Sequence, residues 1–196
     1  MSTLKVDTIL KRTGTGTITL GQSGDTISIP SGATTDLSNS TVTLNSTMKN
    51  VPLVQAGFTS NSQSISSGAD TEIVYTAITK ETPTGKFNTS TGRFTPGVTG
   101  FYYVNALARI NAGNGAGELG NLQIRVNGSA STSGSAQGAT FRRYELDDVQ
   151  NSFTVSAIVE LTSVTDYISV YIYQGSGGAA TLQNNHTNFS AYRLLT

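Results

Sequence analysis

The sequence lacks cysteine and tryptophan and contains a single histidine and only four prolines. Without cysteine the chain can form neither disulfides nor thiolate metal sites, although this leaves its redox compartment open. Charge is also scarce, because Asp, Glu, Lys and Arg make up 12% of the residues, against about 25% in typical domains. The formal net charge is zero. A neutral chain has no overall field for nucleic acid or an anionic membrane, so we expect neither partner.

Long apolar runs are absent as well. No segment approaches the roughly 20 apolar residues that a membrane-spanning helix needs. The first thirty residues alternate polar and apolar side chains, so we expect no signal peptide and no membrane insertion. The helix-forming residues Ala, Leu, Glu and Lys never cluster at the i, i+3, i+4 spacing over ten or more positions, which predicts almost no helix. Ser, Thr, Gly and Asn fill the sequence instead, a composition that suits exposed faces of β-strands.

Residues 51–196 contain nine strand-like runs separated by turn-forming residues. Short runs at this spacing indicate an all-β sandwich or barrel. The runs are VPLVQAGFT, TEIVYTAIT, KFNTSTGRFTP, GFYYVNALARI, NLQIRVNG, ATFRRYEL, SFTVSAIVELT, DYISVYIYQ and TNFSAYRLLT. In DYISVYIYQ, Ile168, Val170 and Ile172 share one face, and tyrosines occupy most of the other. We therefore predict that this strand meets the core on one side and a second surface on the other.

Residues 1–48 are different in character. Three short alternating units, TITL, TISI and TVTL, occupy residues 17–20, 26–29 and 41–44, each with two apolar residues on one face. Strands this small cannot bury enough surface to hold the segment together alone. Three copies wound around one axis would bury all three units as a short β shaft. A disordered polar leader is the other interpretation that the sequence leaves open.

Three separated blocks carry a family resemblance. Their residues are Asn88, Thr91, Gly92, Phe94, Thr95, Pro96, Gly100, Tyr102 and Tyr103, then Asp166, Ile168 and Val170, and finally Phe189, Ser190, Tyr192 and Leu194. In this order they resemble the complement-type globular head, a tumour-necrosis-factor-like (TNF-like) jelly roll, over residues 51–196. Thr165 and Ala191 stand where that family usually has glycine. The resemblance implies that the fold-defining core contains Phe94, Gly100, Tyr102, Ile168, Val170, Phe189 and Tyr192.

The same resemblance implies a homotrimer, because the family assembles as tight trimers. Tyr167, Tyr171 and Tyr173 would then face the threefold axis. The alternative is that these tyrosines are ordinary exposed aromatic residues.

The N-terminal segment has a second resemblance. STLKVDTI followed by GTGTITLGQSGDTISIPSGAT is similar to leaders of small structural proteins of tailed phages, especially cyanophage-like ones. Such leaders attach a fibre or decoration to the particle. This resemblance implies that Leu4, Val6, Ile9 and Leu10 dock on a capsid or tail protein of the same virion, after synthesis in the host cytoplasm.

Three motifs could carry chemistry, but each lacks the neighbouring elements or residues that its chemistry would need. GAGELG at 115–120 fits G-x-G-x-x-G, but a predicted strand follows it where a dinucleotide site needs a helix. His186 lies in a polar loop with no nucleophile motif nearby in the sequence. Glu145, Asp147 and Asp148 lack a complete calcium-loop pattern, so a solvated turn is favoured, with Ca²⁺ kept as the one candidate ion. We expect no enzyme activity and no cofactor.

These observations predict a trimeric protein at a virion surface. The preferred interpretation is a capsid head fibre or decoration protein, anchored by residues 1–48 and ending in the jelly-roll head. The alternative is a receptor-binding adhesin at the tip of a short tail fibre, with a host surface glycan or protein as partner. Loops 111–120 and 128–140 would form its contact surface, but they hold few aromatic anchors. A secreted signalling head fits the fold and lacks a visible secretion signal.

Overall fold

The structure is a computed structural model, and it describes residues 19–38, 40–43, 51–60, 63–111, 119–129, 141–145 and 150–195. The chain divides into two compact units, residues 1–43 and 44–196.

The described part of the first unit consists of turns joined by extended chain. Residues 19–38 and 40–43 contain no strand, and all of them are exposed. One turn is closed by Asp25, whose backbone N–H donates to the carbonyl of Gln22 at 3.0 Å while its carboxylate accepts from the Gln22 N–H at 2.7 Å. The apolar residues of this segment find no cover within one chain: Leu20, Ile27, Ile29, Leu37 and Val42 are all exposed. The intertwined shaft, which needs further chains, stays a prediction.

The described part of the second unit forms thirteen strands and one 3₁₀ turn at Asn184–His186. The strands are β1 (Leu53–Gly57), β2 (Ser64–Ile65), β3 (Thr71–Glu72), β4 (Ala77–Thr82), β5 (Phe87–Asn88), β6 (Arg93–Phe94), β7 (Gly100–Asn111), β8 (Leu119–Val126), β9 (Phe141–Glu145), β10 (Gln150–Leu161), β11 (Ile168–Gln174), β12 (Ala180–Leu182) and β13 (Asn188–Arg193). The prediction of an all-β head is confirmed.

Each of the nine predicted runs contains a strand, but two runs divide. TEIVYTAIT becomes β3 and β4, which pair with different sheets, and Ile73 and Tyr75 are buried where the chain crosses between them. KFNTSTGRF becomes the hairpin β5–β6. The sequence does not predict the short strands β2 and β12, because two or three residues are too few to distinguish alternation from chance.

The strands form two antiparallel sheets. In sheet A, β7 is central: β10 pairs along its whole length, and β13 and β12 share its other edge. Sheet A continues from β13 to β1 and β4, and from β12 to β2. Sheet B has the order β5-β6-β11-β8-β9, with β3 also pairing with β11.

The core lies between the sheets and contains a cluster of aromatic rings. Tyr75 packs on Phe189 with ring centroids 5.7 Å apart, and Phe189 packs on Phe87 at 5.9 Å. Phe94 lies edge-on to Tyr102 at 6.2 Å. Offset and edge-to-face pairs of this kind add about 0.5–1.5 kcal/mol each beyond their burial.

The β5–β6 hairpin depends on Gly92. Its backbone N–H donates to the carbonyl of Asn88 at 2.8 Å, and its φ of +74° lies in the left-handed region. A Cβ at this position would stand 2.1 Å from the carbonyl oxygen of Ile73. The hairpin therefore passes so close to the crossing segment that only glycine fits.

Two buried tyrosines give opposite predictions for the same substitution. The hydroxyl of Tyr75 is buried without a hydrogen-bond partner among the described residues, whereas that of Tyr102 donates to the Val98 carbonyl at 2.7 Å. An unpaired buried donor costs about 1–3 kcal/mol. We expect Tyr75→Phe to leave the free energy of unfolding unchanged or raise it by about 1 kcal/mol, and Tyr102→Phe to lower it by about 1 kcal/mol.

Urea unfolding followed by circular dichroism measures both effects. Each variant is the control for the other, since both lose one hydroxyl from a buried ring. A clear loss of stability in Tyr75→Phe would show that its hydroxyl has a partner.

Candidate functional site

Four apolar side chains line up across the outer face of sheet A. Antiparallel pairing places Ile158 of β10 opposite Tyr103 of β7, Tyr103 opposite Tyr192 of β13, and Tyr192 opposite Leu53 of β1. The rings of Tyr103 and Tyr192 pack with centroids 5.5 Å apart. We call these four residues the apolar stripe.

The apolar stripe is open to solvent in the single chain. Ile158 is 61% exposed and Tyr192 is 37% exposed, while Tyr103 and Leu53 are half-buried. Phe101, two residues before Tyr103 on the same face of β7, is also exposed. Scattered exposed apolar residues are normal, but a contiguous row across four strands is typical of an interaction surface.

The row on one side of the apolar stripe is polar. The next row along the sheet contains Ser156, Asn105, Ser190 and Gln55, in register across the same four strands. A shallow depression of about 460 Å³ lies over β1, β13 and β4 and is lined in part by Leu53 and Tyr192. An apolar centre with a hydrogen-bonding border is the usual anatomy of a protein–protein interface.

Arg109 lies further along the outer face of sheet A. Its Nε is buried and has no hydrogen-bond partner among the described residues. Buried guanidinium nitrogens are usually paired, so this one is an exception among the described residues.

The outer face of sheet B has a different chemistry, although it holds the three tyrosines predicted to face a threefold axis. The guanidinium of Arg93 lies 4.5 Å from the ring centroid of Tyr167, and that of Arg125 lies 4.0 Å from the ring of Tyr171. Tyr173 is half-buried. Two of the three rings are therefore already covered by cations of their own chain.

Carboxylates complete this layer of arginine and tyrosine. Glu72 forms a bidentate ion pair with Arg93, at 2.8 and 2.9 Å, and accepts a hydrogen bond from the hydroxyl of Tyr171 at 3.2 Å. The hydrogen bond to Glu72 raises the pKa of Arg93, and burial raises the pKa of Tyr171. Arg125 pairs with Asp70 and donates from Nε to Gln123 at 3.0 Å. The charges on this face satisfy one another.

Of the seven residues predicted to define the core, five are buried, one is a glycine and one is exposed. Gly100 begins β7, with a φ of +126°. The buried members are Phe94, Tyr102, Ile168, Val170 and Phe189. The assignment of Tyr192 to the core is wrong: it lies on the outer face of sheet A, because side chains alternate along β13 and Phe189 and Ala191 take the inward positions. The proposed attachment residues Leu4, Val6, Ile9 and Leu10 lie outside the described residues.

Asp166, from the second motif block, organises the turn before β11. Its carboxylate accepts from the side-chain amide of Asn127 at 2.8 Å and from the backbone N–H groups of Thr162 and Ser163. These hydrogen bonds, that from Asn127 above all, lower the pKa of Asp166. Asp166 therefore has a structural role, because its carboxylate accepts hydrogen bonds that hold the turn.

The described part of the chain locates some of the residues with candidate chemistry. His186 is exposed in the 3₁₀ turn, and β8 begins at Leu119, where a dinucleotide site would need a helix. Asp147 and Asp148 lie outside the described residues, and elsewhere in the described chain no three His, Asp or Glu residues cluster as metal ligands. The part of the chain that the structure describes has no helix that is long and apolar enough to cross a membrane.

Solved structures with this architecture confirm the fold. The chain matches no protein-family model and no curated protein. It is similar to the structure of Eiger TNF from S. frugiperda, with 13% identity and a TM-score of 0.51, over 72% of this chain and 91% of that one. It is also similar to a crystal structure of murine APRIL, with 13% identity and a TM-score of 0.50, over 72% of this chain and 98% of that one. At this identity the likeness concerns the fold alone: the chain is an all-β protein whose head is a TNF-like jelly roll.

Proposed function

We propose that the chain is a trimeric structural protein of a tailed-phage particle, a head fibre or decoration whose jelly-roll head is presented at the capsid surface. Its mechanism is binding without chemistry. The N-terminal segment joins the particle and three heads pack together around an axis. The support comes from the apolar stripe of the head and from the resemblance of the N-terminal segment to phage leaders.

The apolar stripe carries the trimer proposal. It crosses β10, β7, β13 and β1, so a neighbouring head laid on sheet A would cover four strands at once. The complement-type family that the sequence resembles assembles as trimers, which fits this coverage.

We assign the interface to sheet A in preference to the tyrosines of β11. Tyr167 and Tyr171 already have guanidinium groups on their rings, and separating Glu72 from Arg93 to build an interface there would cost charge-assisted hydrogen bonds. The apolar stripe loses no such pairing when it is covered, because its exposed groups are mainly hydrocarbon and aromatic.

The attachment role of the N-terminal segment rests on its exposed apolar residues. Ile27 and Ile29 are 59% and 55% exposed, so the segment can gain burial when it meets other chains. Two kinds of contact are open to it, with the other copies of the segment in a shaft and with a protein of the particle.

Removal of residues 1–45 is expected to leave a folded head that no longer joins the particle. Particles lacking the protein are mixed with the purified full-length or shortened chain, and bound protein is measured after sedimentation. A full-length chain with Leu4, Val6, Ile9 and Leu10 all replaced by serine tests the attachment residues at unchanged length. Changing Val164 to serine, an exposed residue in the turn between β10 and β11 of the head, is the control for lost apolar surface outside the segment.

Equal binding of the shortened and full-length chains would overturn the attachment role. Circular dichroism and thermal unfolding verify that the shortened head is folded, so lost binding cannot be confused with lost structure.

A competition experiment distinguishes the adhesin alternative from decoration. Purified full-length chain is added to host cells before infection, and adsorption of the phage is counted. Decoration predicts no change. A fall in adsorption that saturates with protein concentration would assign the head to receptor binding and contradict decoration.

A further inference from the structure

The open end of the sandwich contains a pocket that neither the trimer nor the attachment role uses. It lies where the chain enters β1, leaves β4 and β6, and completes β13, and its volume is about 200 Å³. Its lining residues are Val51, Pro52, Pro83, Lys86, Pro96, Val98 and Arg193. Five of the seven are apolar and two are cationic.

The two cations of the pocket have no acidic partner among the described residues. Neither Lys86 nor Arg193 belongs to an ion pair there, and the Nε of Arg193 is buried without a hydrogen-bond acceptor. Glu81, close in the chain to Lys86, is already engaged, because its carboxylate accepts from the backbone N–H groups of Gly85, Lys86 and Phe87. A buried donor without an acceptor costs about 1–3 kcal/mol, so Arg193 has hydrogen-bonding capacity that the described residues leave unused.

Two glycines allow the cations to lie this close to the backbone. A Cβ at Gly100 would stand 3.4 Å from the Nε of Arg193, and a Cβ at Gly97 would stand 3.1 Å from the Nζ of Lys86. The contact at Gly97 is tighter than ordinary packing, and the contact at Gly100 is at the lower limit of the ordinary range. The missing side chains therefore leave room for the charged groups beside the pocket wall.

The walls suit an apolar body. Pro52, Pro83 and Pro96 have fixed φ angles, which makes this wall stiff, and proline has no N–H that would need a partner. Tyr102 lies nearby, with its hydroxyl held by Val98; burial raises its pKa to about 12 against the opposing effect of the Arg193 charge. The phenol stays neutral at physiological pH, so it adds no negative charge to repel an anion.

We propose that this pocket binds a small organic carboxylate, whose apolar body lies between the prolines and whose carboxylate pairs with Arg193 and Lys86. A planar guanidinium matches a carboxylate with two parallel hydrogen bonds. The volume is that of a single ring, since a cavity of about 150 Å³ holds benzene. Inorganic phosphate or sulfate would satisfy the cations but leave the apolar walls uncovered.

Benzoate is the probe for this site, titrated into the full-length, ¹⁵N-labelled chain and followed by NMR. We expect saturable shifts at Val98, Gly100 and Arg193. Benzamide, which has the same ring without the charge, and sulfate, which has charge without the ring, are expected to bind at least about tenfold more weakly.

Substitutions locate the site. Arg193→Gln is expected to weaken benzoate binding by about tenfold or more, and Lys86→Gln by a smaller factor. Lys80→Gln, which removes an exposed cation of β4 outside the pocket lining, is expected to leave benzoate affinity unchanged. The NMR spectrum of each variant verifies that it is folded. If Arg193→Gln does not fold, the benzoate affinity of Lys86→Gln still tests the site.

Three results would each overturn the proposal. They are equal affinity for benzoate and benzamide, benzoate affinity that is the same in both pocket variants and in wild type, and shifts that never saturate. The pocket belongs to one chain, so its test is independent of the outcome for trimer or particle.

Discussion

Alanine at Gly92 is expected to lower the free energy of unfolding of the head by about 4 kcal/mol or more, an exceptional loss for one methyl group. The new Cβ would stand 2.1 Å from the carbonyl oxygen of Ile73 and 2.9 Å from the Cα of Val74, both backbone atoms that a rotamer change cannot move. A further cost of about 1–2 kcal/mol comes from the left-handed φ. Domains of this kind are stable by only about 5–15 kcal/mol, so much of the variant should be unfolded at 37 °C.

Gly177 is the matched control for this effect. Its φ of +78° is close to that of Gly92, but a Cβ there would meet nothing within 4 Å. Gly177→Ala should therefore lose only the conformational part, about 1–2 kcal/mol. Urea unfolding of both variants gives the steric part as the difference, and equal losses would show that the close approach at Gly92 costs nothing.

Arginine at Ile158 is expected to convert the proposed trimer to a monomer. The substitution places a charge without a designed partner at the centre of the apolar stripe, and desolvating it would cost several kcal/mol. A loss of about 3 kcal/mol raises a dissociation constant by more than a hundredfold. Light scattering coupled to gel filtration distinguishes one chain of 20.5 kDa from three.

Two controls make the trimer experiment specific. Val164 is 59% exposed against 61% for Ile158, but it lies in the turn between β10 and β11, so Val164→Arg should remain trimeric. Tyr171→Arg tests the β11 face and should also remain trimeric. If Tyr171→Arg is a monomer and Ile158→Arg is a trimer, the interface lies on sheet B and the assignment to sheet A is wrong.

The strands of the head could be predicted because their signal is local. Alternation along GFYYVNALARI places Tyr102, Val104 and Ala106 on one face, and these residues are buried in β7. The same rule argues against a core position for Tyr192, which is three residues from Phe189 and therefore on the opposite face. The motif resemblance implies a core position for Tyr192, but alternation along β13 predicts the outer face, where the residue lies.

The division of TEIVYTAIT shows the limit of local information. Its residues all favour extended chain, and the backbone is extended, but the first half pairs with β11 and the second with β1. Which sheet a strand joins depends on partners far away in the sequence, and alternation carries no information about them.

The sequence indicates only one residue of the apolar stripe, Ile158. In SFTVSAIVEL, Phe153, Val155 and Val159 share one face, and Ile158 falls on the other with serine and threonine neighbours. One misplaced apolar residue in one strand says little. Its importance appears only when pairing brings Tyr103, Tyr192 and Leu53 into the same row.

The sequence by itself determined the fold class, the near-absence of helix and the Gly-dependent turns, because each follows from spacing within ten or so residues. Tertiary structure alone decided which face of the head is apolar, how the arginines cover Tyr167 and Tyr171, and that Lys86 and Arg193 share one pocket. Those features arise from contacts between strands distant in the chain. Their energies depend on burial, and burial exists only once the two sheets have packed.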